Sequence, residues 1–198
     1  SQIEMDVLRN EKIIGYSNYF FKYENDKMII KNYTKFNVKM LGIKVFSIDS
    51  ESKEIYEKDQ LISFESETLQ NNKKKFVKLI YNKNKNKFII DGSSYVGEAN
   101  INNVIGSWWN TKILNAKTQI SPLSGSIKKQ KVKLTNKDEI EFKGKKVKLF
   151  KFNLKSTEDL PDDKKLDFDI WLDPNKDIIF KVKYNRLGSW EYRVKNYN

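Results

Sequence analysis

Two aspartates two residues apart, Asp167 and Asp169, stand beside a tryptophan in the run Asp167-Phe168-Asp169-Ile170-Trp171-Leu172-Asp173. On a strand, positions i and i+2 share a face. A carboxylate pair beside an aromatic ring is an arrangement that glycoside hydrolysis can use, one carboxyl as acid and the other as nucleophile or base. The same face carries Asp173, and Phe168, Ile170 and Leu172 make the opposite, buried face. The pair therefore reads first as part of a solvated face, with a carboxylate-dependent hydrolase as an alternative. Trp171 on that outward face requires cover, from a helix or from a partner. Other chemistries are narrowed by composition. There is no His and no Cys, which removes the commonest general base, the Ser-His and Cys-His nucleophile systems, disulfides, and nearly all zinc and copper sites. No Gly-x-Ser-x-Gly elbow and no Gly-rich phosphate loop occurs. A hard cation would need Asp91, Glu98, Glu158, Asp159, Asp162 or Asp163, whose spacing does not follow the twelve-residue calcium loop. No catalytic residue, no metal site and no cofactor is expected.

Binding is the other chemistry on offer. Gly106-Ser107-Trp108-Trp109-Asn110 holds two of the four tryptophans, in a chain with ten Tyr and twelve Phe. Two readings of this Trp box are open. Large rings close the end of a β core as a plug, or they form the aromatic wall of a ligand pocket. The candidate ligand-binding residues are Trp108, Trp109, Asn110 and Trp171.

The elements that must position these residues are mostly strands. Residues 3–10 and 13–24 read as a first hairpin, with Gly15 marking a bulge or a close backbone approach. Met28, Ile30, Thr34, Phe36, Val38 and Met40 fall on one face of a long strand, with Lys31, Lys35 and Lys39 on the other. Strands this long must twist, which predicts a sheet that wraps towards a barrel. A strand from Gly42 to Ile48 ends at a turn over residues 49–52, and further short strands follow to Gly92. Residues 93–125 break the alternation. Ser107 as N-cap predicts a helix of about two turns over 108–116. Alternation returns from Ser126 to the end, with a change of phase between Leu149 and Phe150 that predicts a bulge. The fold class expected is all-β: one antiparallel, strongly curved meander sheet or barrel-like fold, with one short helix inserted near 107–116. A single domain covers 1–198.

The net charge is +12 at pH 7, carried almost wholly by Lys, with only Arg9, Arg186 and Arg193. Base readout leans on Arg, and no aromatics interleave with the lysine runs, so no specific nucleic-acid partner is expected. Heavy use of Lys, Asn and Ile also matches an AT-rich genome. Peripheral contact with an anionic surface remains compatible with the charge. No run of about eighteen apolar residues spans a membrane.

Lys12-Ile13-Ile14-Gly15, Phe36 to Ile43, Glu54 with Leu61, the box Ser107-Trp108-Trp109-Asn110, the turn Ser124-Gly125 and the closing Asp169 to Asp173 together resemble an uncharacterised family of exported bacterial proteins, known as a domain of unknown function. The resemblance implies an antiparallel β fold, an upstream signal peptide and a periplasmic address, and it implies no catalytic residue; a cytoplasmic location is the alternative. The functional expectation is a non-enzymatic periplasmic protein binding an apolar or amphipathic, lipid-like molecule in a curved-sheet cavity near the Trp box. The alternatives are an envelope scaffold with a basic face for anionic partners, and the hydrolase above.

Overall fold

Alternating apolar and polar side chains govern most of the chain, and the computed structural model, which describes residues 1–198, turns that alternation into fifteen strands. Eight form an antiparallel meander: β1 (Gln2–Arg9), β2 (Lys12–Glu24), β3 (Lys27–Met40), β4 (Ile43–Glu57), β5 (Gln60–Gln70), β6 (Lys73–Asn82), β7 (Lys87–Gly92) and β8 (Val96–Asn100). After β9 (Val104–Ile105) comes a 3-10 turn, Thr111–Leu114, and then β10 (Thr118–Ile120). A second meander follows: β11 (Ile127–Phe142), β12 (Lys145–Ser156), β13 (Asp167–Asp173), β14 (Ile178–Asn185) and β15 (Ser189–Tyr197). Several hairpins close on residue pairs with positive φ at both positions, among them Asn10-Glu11, Asn25-Asp26 and Asn71-Asn72. Asn and Asp tolerate that conformation, and such turns match the twist of the strands they join.

The two meanders are fused where β1 pairs with β15, giving one sheet in the order β8-β7-β6-β5-β4-β3-β2-β1-β15-β14-β13-β12-β11-β10-β9. All pairs are antiparallel except β9 with β10. The two edge strands, β8 and β9, are neighbours in sequence. Only Ile101, Asn102 and Asn103 separate them, and the Asn103 backbone N–H and side-chain amide both donate to the Asn100 carbonyl, at 3.1 and 2.8 Å. The sheet therefore curls until its edges meet at a tight turn. The all-β, barrel-like expectation holds, with the last seam closed by the chain itself rather than by a ladder.

Two local expectations change. The turn over 49–52 does not exist: β4 runs unbroken through fifteen residues. Ser50 is paired on both sides, with Thr34 of β3 and Thr68 of β5. The inner face at this level carries small hydroxyls instead of apolar groups, bonded across strands as Ser17–Thr34 (2.7 Å) and Ser50–Thr68 (2.6 Å). A polar composition mimics a turn, while two neighbouring strands satisfy the backbone and override it. The loop between β10 and β11 reaches this polar band, where the Ser66 hydroxyl donates to the Pro122 carbonyl. The helix over 108–116 shrinks to the single 3-10 turn, capped by Asn110 rather than Ser107. Trp108 and Trp109 form a separate turn, tied to the sheet through the Trp108 N–H and the Trp109 indole, so helical bonding starts only after Asn110. Gln130 then takes up the carbonyls of Ile113 and Ala116 and ends the turn.

Three apolar clusters fill the molecule. The largest spans both meanders and includes Met5, Ile30, Phe64, Leu79, Ile90, Leu149 and Phe180. A second joins Ile113 and Leu114 of the 3-10 turn to Leu154, Ile170 and Val182. The third sits round Val7, Phe36, Val38 and Trp190. The phase change in β12 is thus real: Leu149 enters the first cluster and Leu154 the second, beside a register shift in β11 between Leu134 and Asn136.

Gly15 shows why one position admits no side chain. A Cβ there would stand 2.0 Å from the Lys35 carbonyl oxygen and 2.5 Å from Phe36 Cβ. The β1–β2 register also shifts opposite it. Both obstructions lie on β3, which cannot retreat without losing its ladder. Gly15→Ala is expected to destabilise the fold by about 2–3 kcal/mol, read as a lower urea midpoint with unchanged slope.

Candidate functional site

The Trp box lies across one end of the curled sheet, where β2, β4 and β15 end and β1, β3 and β14 begin. Its anchor is on β4. A cross-strand row runs Ile30, Glu54, Phe64, Leu79, Ile90 over strands β3 to β7. Every member is 0 or 1% exposed. Glu54 is therefore a carboxyl set into an otherwise apolar layer. It accepts from Trp109 Nε1 at 2.8 Å and from the Tyr56 hydroxyl at 2.9 Å. Asn110 Nδ2 donates to that hydroxyl at 3.4 Å, while its Oδ1 accepts from the Lys112 N–H at 3.1 Å. On β2, the buried Tyr19 hydroxyl accepts from the Trp108 N–H at 3.2 Å. The crossing segment is thus tied to the sheet through Tyr19, Glu54 and Tyr56.

Burial dominates the electrostatics. Loss of solvation pushes the Glu54 carboxyl up to about 7, against the donors Trp109 and Tyr56, which pull it down. Desolvation, aided by Glu54, likewise pushes Tyr56 upward and raises Tyr19 to about 12.

Trp109 forms one wall of a cleft of about 370 Å³ at this end. Ile3, Phe21, Met28, Tyr56, Ile178 and Tyr197 supply its apolar surface, and Asn110, Lys112, Asp59 and Asp177 its polar rim. The Trp109 ring is held edge-on by Phe21 and Tyr56, with centroids 5.5 and 5.6 Å away. Glu54 lies behind the wall rather than in the cleft, so it positions Trp109 and does not reach a ligand.

The residues singled out in the sequence separate. Trp109 and Asn110 line the cleft. Trp108 turns to the other side, against Phe168 and Tyr192, with centroids 5.1 and 6.3 Å away. Trp171 is elsewhere, on β13. It is only 6% exposed, and its cover is neither a helix nor a partner. Lys151 and Lys181 stand 5.0 and 4.1 Å from the ring, and Asp138 of β11 accepts from its Nε1 at 2.6 Å. Asp167 and Asp169 are held together by the Asn153 amide, at 3.2 and 3.0 Å, and Asp169 pairs with Lys151. Their side chains are 63 and 37% exposed, so they lack the desolvated setting a general acid needs. Among the loop acids, Glu158 and Asp162 pair with Lys129 and Lys165. Glu54 escapes a reading of the residues as a functional group because Asp49 to Ser52 have the composition of a turn. Its signal was parity: Ile48, Ser50, Ser52, Glu54 and Tyr56 alternate as one inward face.

Folding raises the Glu54 pKa from 4.5 to about 7, so the folded protein binds that proton more tightly than the unfolded chain. The resulting stabilisation is complete below about pH 4.5 and is lost as pH rises through 7, a change on the order of 3 kcal/mol. Glu54→Gln keeps the pattern of the protonated acid and removes this contribution. In urea unfolding at pH 5 to 8, the wild type minus variant difference is expected to fall steadily with pH and level off near pH 8. A difference independent of pH would contradict a protonated Glu54.

Comparison with known proteins places the chain. The model of the domain of unknown function DUF6134 matches residues 5–195. No curated protein matches. The crystal structure of a beta-barrel-like protein of domain of unknown function DUF1849 from Brucella abortus is similar, with a TM-score of 0.65 at 11% identity, covering 100% of this chain and 96% of that one. At that identity the likeness concerns the fold alone. With almost its whole length matched, this chain belongs to the DUF6134 family.

Proposed function

We propose that this protein is a non-enzymatic binding protein that holds an apolar or amphipathic, lipid-like molecule in the cleft beside Trp109. The observation that carries this reading is the cleft itself. Its volume of about 370 Å³ falls within the usual range for small-molecule sites, and such sites combine an apolar lining with a few polar groups. Phe21, Met28, Trp109 and Ile178 would take the apolar part of the ligand, and the rim of Asp59, Lys112 and Asp177 its polar end. Trp109 is fixed from behind by Glu54, so its ring is presented without the entropy cost of ordering it on binding. The ligand lies at the mouth of the curled sheet and not deep inside it, because Phe64, Leu79, Phe88 and Phe180 fill the interior. The exported, periplasmic address implied by the family resemblance accords with a carrier or sensor of envelope lipids.

Native mass spectrometry of protein purified from its own host is expected to show a co-purifying small molecule. Titration with a medium-chain fatty acid or a lysophospholipid is expected to change tryptophan emission. Met28→Gln with Ile178→Asn, which leaves the Glu54 network intact, should weaken that binding at least tenfold (about 1.4 kcal/mol), measured at a temperature where circular dichroism shows the variant folded. Equal binding by this variant, or no bound molecule and no spectral response, overturns the reading.

A further inference from the structure

At the end of the molecule opposite the cleft, the β3–β4 hairpin carries a different surface. β2 runs from Lys12 at this end to Phe21 and Tyr23 at the cleft, and β3 returns from Met28 at the cleft to Met40 here. The hairpin projects. The pairing of β4 with β5 ends at Ile48 with Gln70, and the Asn71 N–H closes the neighbouring turn onto the Ser47 carbonyl. Residues 43–46 of β4 thus extend past β5. The projecting part is apolar where a solvated turn would be polar. Leu41 is fully exposed at the apex, Ile43 is 69% exposed, Met40 58% and Val45 46%. Leu41 also adopts φ +50°, a conformation that costs a bulky residue, so apex geometry alone does not select it.

The base of the hairpin is fixed. Phe46 packs on Phe36 and Trp190 at centroid distances of 6.0 and 6.1 Å. Directly below the apex, Lys39 and Lys44 face each other across the two strands, and Lys12 opens β2 at the same end of the sheet, beyond the last β2–β3 pair, Gly15 with Phe36. None of the three forms a salt bridge, whereas Lys35 further down is paired with Asp49. They outnumber Glu11 on the adjacent β1–β2 turn. Leu187, at the apex of the β14–β15 turn, is a further apolar tip at this end, 93% exposed.

We propose that the β3–β4 hairpin tip is a membrane-docking element that inserts Leu41, Met40 and Ile43 into an anionic lipid surface while Lys39, Lys44 and Lys12 contact its headgroups. Unpaired lysines just behind apolar side chains match the layering of a lipid interface, with hydrocarbon beyond and negative charge at the surface. A convex tip of four apolar residues is too small for a stable protein interface, which uses some 20 or more residues a side. A soft surface accepts it without a complementary groove. The tip shares no residue with the cleft at the other end.

Co-sedimentation with vesicles of phosphatidylcholine alone, and of phosphatidylcholine with 30% phosphatidylglycerol, tests it. Three lysines at about fivefold each predict binding to the anionic vesicles on the order of 100-fold tighter, weakening with salt. Leu41→Asp with Ile43→Asp should reduce that binding at least tenfold. Lys39→Glu with Lys44→Glu should abolish the preference for anionic vesicles. Both variants should keep the wild-type Tm and cleft titration, since they lie at the far end. No vesicle binding by the wild type, or binding unchanged in the variants, overturns the proposal. So does concentration-dependent dimerisation in vesicle-free sedimentation velocity that Leu41→Asp removes, which would assign the tip to a second copy of this chain.

Discussion

A carboxyl group in an apolar layer needs hydrogen-bond donors, and in this protein the donors come from the two sides of a junction. Glu54 sits between Ile30 and Phe64 in the inward row, and its partners are Tyr56 on its own strand and Trp109 on the crossing segment. Leaving such a group unpartnered would cost several kcal/mol, so the segment from Gly106 to Ala116 has one docking position that satisfies it. The position of Trp109, the cap at Asn110 and the wall of the cleft all follow. A purely apolar contact would have allowed the Trp box to slide; the directional bond fixes it.

The same need for partners shapes the whole sheet. Fifteen strands in a row leave two exposed edges, and exposed edges invite pairing with other chains. Here the first and last meanders join through β1 and β15, which forces β8 and β9 to be the edges. A three-residue turn holds those edges together. Closure is thus a property of connectivity: the chain re-enters the sheet where it left it. The loop from β10 to β11 completes the interior by supplying the Pro122 carbonyl to Ser66 on the hydroxyl band. The two ends of the resulting barrel differ in kind. One is covered by the Trp box and carries the cleft; at the other, the β3–β4 and β14–β15 turns expose Leu41 and Leu187, with the unpaired Lys39 and Lys44 behind Leu41.

Period-2 alternation was legible wherever apolar side chains were large. The long face from Met28 to Val38 and the hairpins at Asn10-Glu11 and Asn71-Asn72 could be placed from residues alone, because each position's burial and each turn's φ demand are local. Gly15 was legible too, since a glycine among bulky strand residues marks close approach. β4 was not: its inward residues Ser50 and Ser52 are small and polar, and only polar partners across the ladders, Thr34 and Thr68 opposite Ser50 and Asn32 and Ser66 opposite Ser52, make that face favourable. The helix over 108–116 failed for a related reason. Its helical spacing reflects burial of Ile113 and Leu114 against β12 to β14, while Trp108 and Trp109 make a turn of their own, bonded to Tyr19 and Glu54 of the sheet.

What the sequence by itself determined is the class of structure and the range of chemistry. Strand period, long strands and turn residues specify a curled antiparallel sheet. The lack of His and Cys removes whole families of mechanism, since a side chain that is absent cannot be supplied by folding. The Trp box was identifiable as a centre, and two of its residues, Trp109 and Asn110, do line the cleft. Only the tertiary structure decided that Trp108 turns against Phe168 and Tyr192, that Trp171 is covered by Lys151, Lys181 and Asp138 outside the cleft, and that Glu54 is the anchor. The reason is sequence distance. Glu54 and Trp109 are 55 residues apart, and no local pattern records a bond that exists only after β3 to β8 have been laid side by side and the chain has crossed back over them.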